Sequence, residues 1–156
     1  MGIGYTLQQL EGWQGQYNRM IRWHARVVAA ANADASPDEL DFLLTFFENC
    51  FHLREWLLVT LAADQKSLDE LFLSRFELRV CRDLANGFKH HTINRPSVDA
   101  RFSVVNEYAP SNWPSGHAYP NGKWTVLAGG HQLGLVDLAS QCVGIWQDFL
   151  RSSALI

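Results

Sequence analysis

Apolar residues recur at intervals of three and four positions along four long stretches of the chain. This spacing places apolar side chains on one face of a helix, so each stretch is predicted to be helical. The second stretch is apolar over more than half of its circumference, which implies contact with several neighbours. The predicted helices cover approximately 5–33, 36–62, 67 to near 87–91, and 135–152.

Two predicted helices begin with a capping-box sequence. Ser36-Pro37-Asp38-Glu39 opens the second helix and Ser67-Leu68-Asp69-Glu70 opens the third. In this motif a serine oxygen accepts a hydrogen bond from a first-turn amide while the glutamate reaches back to the serine amide. We therefore expect Ser36 and Ser67 to be the N-caps.

Residues 101–134 follow a different pattern, in which apolar and polar residues alternate. Alternation favours strands, and Asn121-Gly122 and Gly129-Gly130 are typical turn sequences. We predict a small antiparallel hairpin with a long loop through 110–117. The resulting fold is mainly α, a four-helix bundle in one domain over 1–156, with the hairpin, about 101–134, inserted between helices three and four.

Composition narrows the class of protein. The chain has 156 residues, of which 47% are apolar and 12% aromatic, so a disordered chain and a collagen-like repeat are excluded. No apolar run reaches the roughly 18–20 residues of a membrane span, and no leader pattern precedes the first helix, so we expect a cytoplasmic protein without a membrane partner. Cys50, Cys81 and Cys142 are far apart in sequence, which favours reduced, buried thiols over a disulfide or a zinc cage.

Charge is distributed unevenly along the chain, although the net charge is only −3. Residues 34–70 carry nine acids against two bases, whereas residues 71–101 carry six bases against three acids. Most of the third predicted helix therefore lies in the most basic part of the chain, although a net charge so close to neutral does not by itself indicate a nucleic-acid partner.

A polar stripe runs along the end of that helix. Helical spacing aligns Arg79, Arg82, Asn86, Lys89 and His90 within three turns. A histidine beside permanent cations and an amide is the combination needed to deprotonate a hydroxyl and stabilise charge on a phosphate. In a purely structural interpretation, Lys89 and His90 neutralise the helix dipole and a glycine at 87 ends the helix.

The segment Arg82-Asp83-Leu84-Ala85-Asn86-Gly87-Phe88-Lys89-His90-His91 resembles the motif of the HEPN superfamily of helical bundles. The resemblance implies a metal-independent ribonuclease site at a homodimer interface, acting on RNA without a cofactor. Arg82 would match the family arginine, Asp83 the polar residue after it, and His90 the histidine that exchanges a proton with the ribose 2′-hydroxyl or the leaving oxygen. We expect substrate contacts from Arg79, Asn86, Lys89, His91 and His52. The wider pattern around Phe46-Phe47 and 50–56 resembles a group of bacterial and phage proteins.

A non-catalytic interaction module of a bacterial or phage conflict system is the first alternative. Trp113, Tyr119 and Trp124 combine with proline and glycine in a way that could form a rigid docking surface for a protein partner. The net acidity of the chain and the long spacing between Arg82 and His90 favour this alternative.

A metal-dependent hydrolase is the second alternative. Glu48, His52 and Glu55 lie at i, i+4 and i+7 of the second helix, and His90 could complete a carboxylate and imidazole site. A structural interpretation competes with it: an acidic stripe containing both glutamates pairs with an arginine stripe on the first helix. The acidic stripe is Asp41, Glu48 and Glu55, and the arginine stripe is Arg19, Arg22 and Arg26.

The remaining histidines carry weaker signals. His24 falls within the apolar stripe of the first helix and is expected to be a satisfied core residue, while His117 and His131 lie in loop-like sequence. No sequence fingerprint for acyl transfer, nucleoside triphosphate hydrolysis or dinucleotide binding is present.

Overall fold

The computed structural model describes residues 7–32, 38–90, 92–99, 101–106 and 124–156. Within these residues it contains five helices and three short strands. In chain order they are α1 (Leu7–Asn32), α2 (Glu39–Val59), α3 (Gln65–Ser74), α4 (Phe76–Lys89), β1 (Ser103–Asn106), β2 (Trp124–Ala128), β3 (His131–Gly134) and α5 (Leu135–Ser152).

The predicted mainly α bundle with a small antiparallel β-element before the last helix is confirmed. Helix α2 occupies its centre, in contact with α1, α4 and α5. This position explains why α2 is apolar around most of its circumference, because an element packed on several sides has little surface left for water. All five helices and β2 contribute buried side chains to the core.

The third predicted helix is two helices, α3 and α4, which meet at Arg75. This residue has extended backbone angles (φ −119°, ψ 105°), so the helical hydrogen bonds stop at Ser74 and begin again at Phe76. The break allows α3 to turn away from the line of α4. Phe72 and Phe76 therefore lie on separate helices, although their four-residue spacing suggested one continuous face.

The capping-box prediction for Ser67 is wrong, because Asp64 is the N-cap of α3. The Asp64 carboxylate accepts hydrogen bonds from the Ser67 amide at 2.9 Å and from the Ser67 hydroxyl at 2.7 Å. A carboxylate is the stronger acceptor at a helix N-terminus, where it also opposes the helix dipole. Ser36 lies outside the described residues, and the N-cap of α2 is Asp38.

The β-element has one strand more than predicted. Strand β2 pairs antiparallel with β1 on one side and with β3 on the other. Gly129 and Gly130 connect β2 to β3 with φ values of 55° and 78°, which glycine adopts at little cost. His131 therefore lies in a strand and not in a loop, with its ring centroid 4.7 Å from that of Phe76. The predicted loop at 110–117 is outside the described residues.

The predicted pairing between the α1 arginines and the α2 acids is not observed. In the described part of the chain, ion pairs join Arg54 to Asp69, Lys66 to Glu70 and Arg151 to Asp148, and no ion pair joins α1 to α2. The guanidinium of Arg26 instead lies 4.4 Å from the ring centroid of Trp23 on its own helix. The register of α1 on α2 is therefore set by apolar packing and by the buried Gln16 amide, which donates to the carbonyl oxygen of Asn49 at 2.9 Å and to its Oδ1 atom at 3.2 Å.

We expect Gly87→Ala to destabilise the fold. A methyl group at this position in α4 would lie 2.5 and 2.8 Å from two ring carbons of Phe102, so the ring would have to move. Overpacking of this kind costs about 1–3 kcal/mol of unfolding free energy, which urea denaturation measures. Gly144→Ala in α5 is the matched control, because nothing lies within 4 Å of its added methyl group. Equal effects at the two positions would contradict the steric explanation.

His24 is hydrogen-bonded, as its place in the apolar stripe predicted, but it is half-buried and not part of the fully buried core; it joins α1 to α5. Its Nε2 atom lies 2.9 Å from the Ser140 hydroxyl oxygen, and its ring packs against Phe46. Burial lowers the pKa of His24 from the usual 6.5. The folded state therefore binds this proton less readily than the unfolded state, and stability decreases as pH falls through 6.5.

We expect the free energy of unfolding to fall between pH 7.5 and pH 5.5, and His24→Gln to reduce that fall. The amide of glutamine retains a hydrogen-bonding group for Ser140 but does not titrate in this range. Urea unfolding at several pH values measures the effect. An identical acid sensitivity in the variant would assign the pH dependence to another group.

Candidate anion-binding cleft

A cleft of about 550 Å³ opens where α2, α3 and α4 meet the segment after α4. Its floor and walls combine apolar side chains with a concentration of arginines. The lining residues are Phe51 and Arg54 from α2, Asp69, Phe72 and Leu73 from α3, Arg79 and Arg82 from α4, and Arg95, Pro96 and Ser97 from the following segment.

Four arginines face one aspartate in this cleft. The local formal charge is therefore positive although the chain as a whole carries a net charge of −3. Cations collected in a concave surface with low-dielectric walls focus the electrostatic potential and attract anions. Guanidinium groups are also the side chains best suited to paired hydrogen bonds with phosphate oxygens.

The ion pair between Arg54 and Asp69 forms one side of the cleft. Its Nη2 and Oδ1 atoms lie 2.6 Å apart, and the Arg54 guanidinium carbon is 5.9 Å from the ring centroid of Phe72. Hydrogen bonds from Gln65 and Arg54, together with the charges of Arg54 and Arg82, lower the pKa of Asp69. The carboxylate is therefore ionised at neutral pH and holds Arg54 in a defined position.

Arg79 has an unused hydrogen-bond donor. Its Nε–H is buried and has no partner among the described residues, while its guanidinium carbon lies 5.8 Å from the ring centroid of Phe76. A buried donor without an acceptor is costly, and native structures contain few of them. A ligand oxygen could reach this donor only if the Arg79 side chain moved, because its Nε atom is shielded from solvent.

Asp83 holds the segment that carries Arg95. The residue is only 2% exposed, and its two carboxylate oxygens accept hydrogen bonds from three successive backbone amides. The Ser97 amide donates to Oδ1 at 2.6 Å, and the Val98 and Asp99 amides donate to Oδ2 at 2.6 and 3.0 Å. The Asp83 carboxylate thus anchors the backbone of residues 97–99, and its predicted catalytic role stays a prediction.

The C-terminal part of the predicted stripe does not line the cleft. Lys89 and His90 are both exposed, and the His90 amide ends α4 with a hydrogen bond to the Asn86 carbonyl. Asn86 is half-buried and is also absent from the lining. His91 lies outside the described residues. Arg79 and Arg82 are thus the only residues of the predicted polar stripe that line the cleft, together with Arg54 and Arg95.

His52 lies beside the cleft. It is exposed on α2 and lines a smaller cavity of about 200 Å³ together with Phe51, Arg54, Glu55 and Leu58. Phe51 and Arg54 also line the arginine cleft, so the two cavities adjoin. An imidazole here has the chemistry required of a general acid or base acting on a ligand held by Arg54.

The predicted carboxylate and imidazole metal site does not form. Glu48, His52, Glu55 and His90 do not gather into a group of possible ligands; within the described ranges, the one such group consists of three cysteines. Glu48 and Glu55 are seven residues apart on α2, about 10 Å along the helix axis, and His90 is the C-cap of α4. This finding removes the structural basis for a metal-dependent hydrolase built on these four residues.

Of the three aromatic residues of the predicted protein-docking surface, Trp124 is within the described residues. Trp113 and Tyr119 lie outside the described residues. Trp124 is the first residue of β2, is half-buried and packs against the core. Its indole therefore contributes to the attachment of the sheet to the bundle.

Sequence reasoning missed Arg54, Asp69 and Arg95 as members of the site. Arg54 is one of only two bases in an acidic stretch, and Arg95 stands in a turn sequence. Neither shares a helix face with Arg82, so periodicity could not join them. The one available signal was the excess of bases over acids in residues 71–101, which include Arg79, Arg82 and Arg95.

Comparison with known proteins identifies no relatives: no family model, no curated protein and no solved structure matches the chain. None of the described helices combines the length and the apolar character that crossing a bilayer requires.

Proposed function

We propose that the protein binds RNA and that the arginine cleft holds the phosphate backbone. The observation that carries the proposal is the convergence of Arg54, Arg79, Arg82 and Arg95 on one cavity. Phosphate contacts from arginine supply most of the affinity of proteins for single-stranded nucleic acids. The motif resemblance, which includes Arg82, favours RNA over other polyanions.

Metal-independent cleavage of the bound RNA is the catalytic part of the proposal. Arg82 has the charge needed to stabilise a phosphate as negative charge develops on it, and a histidine would move the proton of the 2′-hydroxyl or of the leaving oxygen. The resemblance assigns this proton transfer to His90. The geometry favours His52, because the cavity that it lines adjoins the arginine cleft.

Binding is tested by the fluorescence anisotropy of a short, labelled, single-stranded RNA at several salt concentrations. We expect saturable binding that weakens linearly on a log–log plot of affinity against salt, since phosphate contacts release counterions. Adenosine monophosphate and inorganic phosphate serve as competitors. Efficient competition by the mononucleotide at equal phosphate concentration would identify the ligand as a nucleotide, and an absence of RNA binding at low salt would refute the proposal.

Cleavage is tested with the same RNA in EDTA, using wild type, His52→Ala and His90→Ala. Both histidines are exposed, so neither change should disturb the fold, which a thermal melt of each variant checks. We expect products from wild type and from His90→Ala, and no products from His52→Ala. The opposite pattern would assign acid–base chemistry to His90, and cleavage by both variants would exclude either histidine as essential.

Two further parts of the proposal follow from the resemblance. A homodimer would place two clefts in one particle, and analytical ultracentrifugation at several protein concentrations measures the association. Action on cellular RNA implies a cytoplasmic protein, which fractionation of cells expressing the chain tests. Capture of a protein partner that is lost in Trp113→Ala but retained in Arg82→Gln would instead support an interaction module of a conflict system.

A further inference from the structure

Three thiols from three different helices meet in the core of the bundle. Cys50 of α2, Cys81 of α4 and Cys142 of α5 are completely buried, and their sulfur atoms all lie within 4.8 Å of one another. The prediction that the cysteines are buried and unbridged is confirmed. The cluster itself could not be predicted, because the three cysteines are far apart in sequence and lie on different helices.

Each of these three helices contributes a hydrogen-bonding group next to the sulfur atoms. The Cys81 thiol donates to the Phe47 carbonyl at 3.6 Å, and the Cys142 thiol donates to the Glu77 carbonyl at 3.7 Å. The indole Nε1–H of Trp146 is buried, has no hydrogen-bond partner of good geometry among the described residues, and interacts with the Cys50 sulfur. An unused N–H beside a sulfur is the group that a bound, electron-rich thiolate would accept from.

The triangle of sulfurs matches the size of a three-coordinate thiolate site. A bond of about 2.3 Å to each sulfur places the three sulfurs roughly 4 Å apart around a planar centre and roughly 3.5 Å apart around a pyramidal centre that carries a lone pair. The sulfurs lie at most 4.8 Å apart, so each would have to move inward by no more than roughly 0.5 Å for the planar geometry and roughly 0.8 Å for the pyramidal one. Soft thiolate ligands select thiophilic ions.

Charge balance decides which ion the cluster favours. Among the described residues, no carboxylate or imidazole belongs to the group, so a tetrahedral zinc site would lack a fourth ligand from this part of the chain. A complex of three thiolates has a net charge of −2 with a monovalent cation and −1 with a divalent cation. With a trivalent ion the complex is neutral. A net charge in a completely buried apolar site is costly, so a neutral complex is preferred.

We propose that Cys50, Cys81 and Cys142 form a binding site for trivalent arsenic, presented as arsenous acid. In the reaction three S–H bonds and three As–OH bonds break, three As–S bonds form, and three water molecules leave with the thiol protons. No atom changes oxidation state. Three neutral thiols and neutral arsenous acid give a neutral product, so the completed site holds no net charge.

The experiment adds arsenite to the fully reduced protein and combines three measurements. Intact mass spectrometry should show the gain of one arsenic and the loss of three hydrogens, and X-ray absorption should show three sulfur neighbours. The melting temperature should rise, because a ligand stabilises the fold only if it binds the native state more tightly than the unfolded chain. An unchanged or lowered melting temperature would overturn the proposal, since any unfolded chain with three thiols can also bind arsenic.

Cys142→Ala and Val143→Ala form a matched pair on α5. Both shorten a buried side chain, but only the first removes a ligand. We expect Cys142→Ala to lose the stabilisation by arsenite and Val143→Ala to retain it. Cys50→Ala provides a second ligand deletion should Cys142→Ala not fold. Stabilisation that survives the loss of a cysteine, or a larger stabilisation by cadmium or zinc than by arsenite, would refute the assignment to a trivalent ion.

Discussion

Replacing Arg82 and Arg95 with glutamine is expected to weaken RNA binding about a hundredfold at low salt, because two charge-assisted contacts of about 1.5 kcal/mol each are lost. The two residues lie on opposite parts of the cleft wall, one on α4 and one in the following segment. Glutamine keeps polar length but removes the positive charge. Fluorescence anisotropy with wild type and the double variant measures the change.

The salt dependence provides a second readout of the same variant. Each phosphate contact on a single strand contributes about 0.7 to the slope of log affinity against log salt, so the double variant should lower the slope by about 1.4. A loss of affinity with an unchanged slope would show that the two arginines act on the fold and not on phosphate.

The matched control is Arg22→Gln combined with Arg151→Gln. Both arginines are exposed, on α1 and α5, and neither lines the cleft. The control removes the same total charge, so long-range attraction to RNA decreases equally in the two proteins. Comparable losses of affinity in the control and in the cleft variant would mean that RNA responds to net charge and would contradict a localised site.

The bundle could be predicted because its helices carry their own periodicity. The predicted bounds of α5 agree with the structure, since its apolar stripe continues without interruption from Leu135 onward. The break between α3 and α4 could not be predicted, because Arg75 is neither proline nor glycine and adopts its extended conformation through the packing of two separate helices. Strand β3 is only four residues long, with two exposed residues followed by two half-buried ones, so it has no alternation to detect.

The candidate site could be predicted only where it follows one helix. Arg79 and Arg82 are one turn apart on α4, and the polar stripe identified both. The same stripe continues to Lys89, about 10 Å beyond Arg82 along the helix axis and outside the cleft. Arg54 and Arg95 enter the site through tertiary packing, and the meeting of Cys50, Cys81 and Cys142 has the same origin. The sequence spacing of residues within one helix does not indicate which residues of different helices or segments come into contact.

Asp83→Asn is expected to lower the free energy of unfolding by about 3 kcal/mol, since hydrogen bonds to a charged acceptor are each worth about 1.5–3 kcal/mol. Asparagine has nearly the same shape but only one acceptor oxygen. Two of the three amides at 97–99 could still find an acceptor, while the third would face the new NH₂ group. Urea denaturation measures the loss.

Asp99→Asn is the control within the same segment. Its carboxylate accepts from the Arg101 amide at 2.8 Å and from the Gly129 amide at 3.0 Å, but water reaches it. Solvent can replace a hydrogen bond that is lost at such a site, so the control should lose much less stability than Asp83→Asn. Equal losses would show that the burial of Asp83 is not the decisive factor.

RNA binding and cleavage then separate the two roles of Asp83. If the carboxylate positions the segment of Arg95, Asp83→Asn weakens RNA affinity in parallel with stability, and cleavage at saturating RNA is retained. If it takes part in the chemistry, as the motif resemblance implies, cleavage at saturation falls while affinity is kept. Since three amides already occupy its two oxygens, we expect the first result, and Arg95→Gln should then reproduce the loss of affinity without the loss of stability.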